Sequence, residues 1–318
     1  MNRRTAIKNT AYASVYTIFF SHLLACKSGD KVAVKEVEKA IEKMNLSLPA
    51  DAAFKMNYLQ GNVGFFTERG GTIGWMIEDG HLVVVDTQFP EQSQHVVDSL
   101  MSNGGTHIDL LINTHHHGDH TAGNIIYKDL TDRIVAHENS RKNQMANAKK
   151  KNSEDKQLYP NEVFVDNWTT KVGSETITMN YFGAAHTDGD AITHFENANV
   201  VHMGDLIFNR RFPYIDKSAG ANISNWITVL DKVLNKFDNE TKFIFGHSDN
   251  GYDITGGKED IKAFQGYLAS LLNFGRQSIQ SGKTLKELKS EVNTIPGAPE
   301  WKGKGIERSL DAVYTELG

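Results

Sequence analysis

Apolar residues along this 318-residue chain follow two rhythms, and the alternation between them outlines a fold. Between Lys27 and Ala50 they fall at Val34, Val37, Ala40, Ile41 and Met44, the three-to-four spacing of a short amphipathic helix ending before Pro49. From Phe54 the runs shorten. NYLQGNVGFFTERGGTIGWMIEDGHLVVVDT breaks its apolar stretches at Gly-Asn, Arg-Gly-Gly and Asp-Gly, which predicts antiparallel hairpins. EQSQHVVDSLMSNGG then reads as a helix stopped by glycines, and HIDLLIN as a short buried strand. Strand-like pieces follow in DRIVAH, EVFVDNW, TITMNYFG, AITHFEN, NVVHMGDLIF and KFIFGHSD, with a polar Lys- and Asn-rich region at residues 138–161. SNWITVLDKVLNKF carries the helical period, and residues 257–318 read mostly as helices, including KEDIKAFQGYLASLLNFGRQSIQ and TLKELKSEV. No internal repeat interrupts the pattern. Sheets covered by outer helices are expected, in one domain.

The N-terminus stands apart. MNRRTAIKNT supplies Arg3, Arg4 and Lys8, and AYASVYTIFFSHLLAC follows as an apolar stretch, the order of a secretory signal over residues 1–26. The stretch is shorter and more interrupted than the ~20 residues that span a bilayer. Arg3-Arg4 loosely resembles a twin-arginine signal, and Leu23-Leu24-Ala25-Cys26 resembles a bacterial lipobox. Cys26 is the only cysteine, so no intramolecular disulfide can form. The expectation is export to the bacterial envelope (the periplasm) as a lipoprotein anchored at Cys26, touching membrane only through that anchor. Residues 27–51 would form a tether and short helix. A formal net charge of −5 offers no basic excess to offset phosphate, which argues against nucleic acid as a partner.

Candidate chemistry concentrates in NTHHHGDHTAGN, which places four histidines and an aspartate between His115 and His120. In an extended segment His115 and His117 point the same way and His116 the other. Asp119 and His120 follow Gly118, where the chain turns toward a helix at the carboxyl end of a strand. Three more residues stand just after apolar strands: His186 in YFGAAHTDGD, Asp205 in VVHMGDLIF and His247 in FIFGHSD. Together they make a donor set suited to a pair of borderline metal ions. The remaining histidines (His81, His95, His107, His137, His194, His202) read as ordinary surface or core residues, with His194 and His202 on strands near the site.

His115-x-His117-x-Asp119-His120, followed in order by His186, Asp205 and His247, resembles the signature of the metallo-β-lactamase-fold hydrolases, over roughly residues 55–250. The resemblance implies an α/β fold, a four-layered αββα sandwich, as a catalytic domain at 52–256, with a helical C-terminal extension at 257–318. It implies two metal ions, zinc by default, with iron or manganese as substitutes because an aspartate bridge is harder than thiolate. His115, His117 and His186 would hold the first, Asp119, His120 and His247 the second, and Asp205 would bridge. Asp86, ending HLVVVDT, matches a family aspartate that fixes the metal loop.

Such a site implies hydrolysis of a small-molecule substrate by a metal-bridging hydroxide, with Asp119 orienting the nucleophile and moving its proton. One β-lactamase subgroup has cysteine in the place of Asp205 and a lysine three residues later, where this chain has Phe208; another lacks the bridging aspartate. Asp205 instead resembles thioesterase- and lactonase-type members. An ester, lactone, thioester or amide substrate is therefore expected, against two alternatives: a β-lactamase proper, and a tethered metal-binding lipoprotein without catalysis. Arg210 and Arg211, in FNRRFPYID, either face an anionic substrate or sit in a solvated loop.

Overall fold

Turn residues and strand runs combine into two sheets. The computed structural model describes residues 55–103 and 105–318; the signal, lipobox and tether expectations lie outside the described residues. The hairpin region gives β1 (Lys55–Gln60), β2 (Val63–Thr67), β3 (Ile73–Glu78) and β4 (His81–Val85), joined antiparallel in sequence order. Helix α1 (Pro90–Ser102), with proline in its first turn, leads to β5 (Leu110–Asn113). The short helix α2 (Gly118–Thr121) precedes β6 (Ile134–His137), α3 (Glu138–Lys151) and β7 (Glu162–Phe164). Strands β4 to β7 run parallel and complete a seven-stranded sheet.

The second sheet begins with β8 (Asn167–Val172), β9 (Glu175–Tyr181), β10 (Ala191–Phe195) and β11 (Val200–His202). Then come β12 (Phe208–Asn209), α4 (Ile223–Lys236), β13 (Lys242–Ile244), β14 (His247–Ser248) and β15 (Thr255–Gly256). Its six strands are ordered β15-β13-β11-β10-β9-β8, with β11 and β13 parallel; β12 and β14 form a separate two-residue parallel pair. Helices α5 (Lys258–Gln280), α6 (Leu285–Glu291) and α7 (Ile306–Leu317) end the chain.

The layers follow from alternation. Every residue from Leu82 to Val85 is buried, as in a strand covered on both faces. Val83 and Val85, with Leu110 and Ile112, face Ile177, Met179, Phe195 and Val200 of the second sheet. Leu82, Val84 and Leu111 face outward onto Val96, Val97 and Leu100 of α1. On the far side Ile192, Val201 and Phe243 pack under Trp226 and Leu230 of α4 and Phe264 and Leu268 of α5. This is the expected αββα sandwich. The C-terminal helices share that outer core through Ile306, Leu310 and Val313 of α7. Among the described residues no helix is long and apolar enough to cross a membrane.

The polar region 138–161 holds a helix that periodicity does not announce. In α3 only Ser140, Gln144 and Ala148 are buried, a stripe of small and polar residues at i, i+4, i+8. Gln144 donates to the Asn113 Oδ1 at 3.2 Å, so this helix docks on β5 through hydrogen bonds rather than apolar area.

Because Leu310 is fully buried, Leu310→Ala should lower the unfolding free energy by about 2–5 kcal/mol. Urea denaturation measures it, and a loss below about 1 kcal/mol would mean α7 is only loosely attached.

Candidate metal centre

Two of the parallel strand pairs, β4–β5 and β11–β13, deliver their carboxyl ends to one edge of the sandwich, where α/β folds carry chemistry. Asp86 follows β4, the His115–His120 run follows β5, Asp205 follows β11 and His247 follows β13; His186 enters from the β9–β10 loop.

Asp86 ties the first two of these ends together. Its backbone is left-handed (φ 63°), and its side chain is fully buried. The carboxylate accepts from Thr114 N at 2.8 Å, Thr114 Oγ1 at 2.7 Å and His120 Nδ1 at 2.7 Å. Thr114 Oγ1 lies 3.0 Å from His115 Nδ1. With its own proton given to Asp86, that hydroxyl accepts from His115, so both histidines keep Nδ1–H and turn Nε2 inward.

Asp205, on a turn at Gly204–Leu206, receives them. Its Oδ2 lies 3.8 Å from His115 Nε2 and 3.4 Å from His186 Nε2, and its Oδ1 lies 3.0 Å from His120 Nε2 and 3.4 Å from His247 Nε2. The two oxygens thus sort the histidines into two groups. His247 Nε2 is also 3.4 Å from Asp119 Oδ2. Burial would raise the Asp205 carboxyl, but the charges of His247 and His120, with the His120 hydrogen bond, hold it well below the carboxylate range. Burial opposes charge on His120 and His247 too, yet Asp205 in both cases, with Asp86 or Asp119, keeps them raised. At His115 and His186 burial, joined by the neighbouring imidazoles, outweighs Asp205 and drives both down, His186 to about 3. Asp119 is held low, since the His247 hydrogen bond and the His120 charge outweigh its burial.

Two orienting groups lie beyond the sequence motif. His117 Nε2 donates to Asp216 Oδ2 at 2.9 Å, which leaves His117 Nδ1 facing His186 Nε2, 2.9 Å away. His186 Nδ1 donates to the Tyr214 carbonyl at 2.6 Å. Asp216 is fixed in turn by the Ser218 and Ala219 amides. His116 faces Asp216 as well, its Nε2 3.6 Å from Oδ2. His202 supports the site from behind: its Nε2 donates to the Thr72 carbonyl and its Nδ1 accepts from Gly204 N. Gly71 must be glycine, because a Cβ there would lie 2.1 Å from His120 Cε1.

These atoms fit a metal. His115 Nε2, His120 Nε2 and Asp205 Oδ1 are buried with no hydrogen-bond partner, although His120 Nε2 lies 3.0 Å from Asp205 Oδ1. Ligand atoms of His115, His117, His186 and Asp205 lie within 4.8 Å of one another, as do those of Asp119, His120 and His247. Soft sulfur is absent from the set, and imidazole with carboxylate suits zinc, iron or manganese.

A cleft of about 290 Å³ opens over the centre, lined by His117, Asp119, Asp205 and His247 on its floor and by Phe208, Phe212, Tyr214, Arg211 and Arg308 around it. Arg211 reaches this cleft; Arg210 does not. The Arg210 guanidinium bonds Asp260 and Glu300 and stacks near Tyr252 and Trp301, so the substrate-facing reading fails for it: a left-handed φ of 55° turns it onto the C-terminal helices. Arg308, from α7, is an unforeseen cleft residue with no sequence signal of its own.

A sequence profile described as the metallo-beta-lactamase superfamily matches residues 67–247, more than half of the chain. The chain belongs to the metallo-beta-lactamase superfamily. Among solved structures it is similar to a double mutant of the sec-alkyl sulfatase PisA1, with TM-score 0.64 and 16% identity over 84% of this chain and 50% of that one. The chain therefore spans about half the length of that sulfatase. It is similar to DIM-1 metallo-beta-lactamase (TM-score 0.56, 16% identity, 69% of this chain and 98% of that one). A metallo-beta-lactamase from Pontibacter korlensis also matches (TM-score 0.56, 14% identity, 68% and 99%). At such identities the likeness is one of fold. No curated protein matches the chain.

Asp86→Ala in chelator-treated protein should cost about 3–5 kcal/mol of stability, because it removes one of the two carboxylates that face the buried His120 charge and leaves the Thr114 amide unpaired. Chemical denaturation reads this, and a cost near zero would show that Asp86 does not hold the site.

Proposed function

We propose that this chain is a dinuclear metal-dependent hydrolase acting on a small ester, lactone, thioester or amide. The observation that carries the reading is the Asp205 carboxylate, with one oxygen toward His115 and His186 and the other toward His120 and His247. His115, His117 and His186 would hold one ion, Asp119, His120 and His247 the other, with Asp205 between them. A bound metal pair lowers the pKa of its water from roughly 16 to about 7 and polarises a substrate oxygen.

The chain's own residues do the rest. Asp86 and Asp216 fix which nitrogen of His120 and of His117 faces the centre, so the site is oriented before substrate arrives. Asp119 is the carboxylate most open to the cleft, its side chain about one-third exposed, and it is kept ionised by His247. It is placed to take the proton from attacking water and deliver it to the leaving group. Phe208 stacks on His247 with ring centroids 5.1 Å apart, and with Phe212 gives the cleft an apolar wall that limits bulk water. A purely metal-storing protein needs no open cleft beside a proton-accepting carboxylate.

Metal analysis coupled to a panel of esters, lactones, thioesters, phosphodiesters and β-lactams tests the reading. Asp119→Asn should retain metal and lower kcat by about 10²–10⁴-fold. Turnover that survives complete chelation would refute it.

Uptake of metal should also expel protons at pH 7. Metal takes only unprotonated imidazole, and His120 and His247 are raised by their carboxylate neighbours, so affinity for the second ion falls as pH drops. Calorimetry in buffers of different ionisation enthalpy measures the release; heats that do not vary with buffer would contradict the assigned ligands.

A further inference from the structure

Two arginines at the cleft rim have no counterpart in the hydrolytic reading. Arg211 comes from the segment after β12 and Arg308 from the first turn of α7, and both side chains are exposed. Neither forms an ion pair among the described residues. Arg210 and Arg133 behave differently, each paired with at least one carboxylate. Arg308 instead lies over the Tyr214 ring, 5.9 Å from its centroid, which steers the guanidinium without neutralising it. The same Tyr214 offers its carbonyl to His186 and its ring edge to His117 at 5.2 Å, so one residue fixes the spacing between rim cation and site floor.

The floor is acidic and imidazole-rich, whereas the rim is cationic, and Phe208 and Phe212 lie between. A substrate matching that sequence has a hydrolysable centre at one end, an apolar middle, and a negative group at the other. Guanidinium is suited to grip such a group, since its planar donors match the oxygens of a carboxylate, sulfate or phosphate. At about 290 Å³ the cleft holds a small molecule.

We propose that Arg211 and Arg308 form an oxyanion-group subsite, so that the preferred substrates are small amphiphiles carrying a carboxylate, sulfate or phosphate remote from the hydrolysed bond. The last helix thereby sets specificity. This rests on the metal-hydrolase reading for which bond is cut, but the subsite itself is tested by binding.

The experiment uses full-length metal-loaded protein and two probes of similar shape, phenylacetate and phenylacetamide, titrated by ligand-observed NMR at low ionic strength. Wild type should prefer phenylacetate, and Arg308→Ala and Arg211→Ala should each reduce the preference about tenfold or more. Arg276→Ala, which removes an equal charge from an exposed position on α5, should leave the preference in place. Three results would overturn the proposal: no preference in wild type, a preference untouched in both cleft variants because the anion sits on the metals, or an equal loss in Arg276→Ala. Soluble, metal-loaded Arg308→Lys with partial preference separates lost charge from lost folding. If Arg-dependent preference appears and nothing in the panel is hydrolysed, the subsite stands and the hydrolase reading falls. Turnover of neutral esters without anion preference gives the reverse.

Discussion

A carboxylate buried among four imidazoles is the constraint around which this structure is arranged. Removing Asp205 from water costs several kcal/mol, and that cost is tolerable only where opposite charge or a cation faces the oxygens. The surroundings are shaped to supply this. Gly246 leaves room for Asp205, since a Cβ there would fall 2.1 Å from Oδ1. His202 holds the Gly204 amide, and Asp86 and Thr114 orient the histidines that meet the carboxylate. Each of these choices sacrifices packing freedom in a core strand end for one fixed polar geometry, as functional sites do.

Local pattern carried the fold as far as burial follows period. The all-apolar runs of β4 and β5 reveal strands covered on both faces, and the 3.6-residue spacing in α4 reveals a one-sided helix. Helix α3 escaped because its buried stripe is Ser140, Gln144 and Ala148, and hydrogen bonds, which leave no hydrophobic signal, dock it. In the site, strand-end histidines and aspartates were legible from spacing, and the structure brings His115, His117, Asp119, His120, His186, Asp205 and His247 to one place. Asp216 was not legible, since nothing near it in sequence marks it as the partner of a histidine 99 positions away. Arg210 and Arg211 looked equivalent as neighbours, and a left-handed backbone with carboxylate partners on Asp260 and Glu300 sets Arg210 apart.

The C-terminal helices belong to the site as much as to the core. Helix α5 covers the second sheet with Phe264 and Leu268, and α7 closes over it with Leu310 and Val313. Packing on that outer face brings the first turn of α7 beside the cleft. One helix, α7, therefore gives Leu310 and Val313 to the core and Arg308 to the cleft rim.

Residues 208–216 explain how these parts stay in register. Phe208 pairs with His247 across the β12–β14 bridge, and Arg210 pins the segment to Asp260 of α5. Tyr214 then holds His186 through its carbonyl, and Asp216 holds His117. One stretch of backbone thus touches both histidine groups and the C-terminal helices. If the segment slid along its length, it would lose bonds on both sides of Asp205 and one to α5 together, so the intact site resists gradual deformation. A polar centre at the open edge of a sandwich, exposed to water on one side, keeps its geometry because its restraints come from three separate layers and meet in this segment.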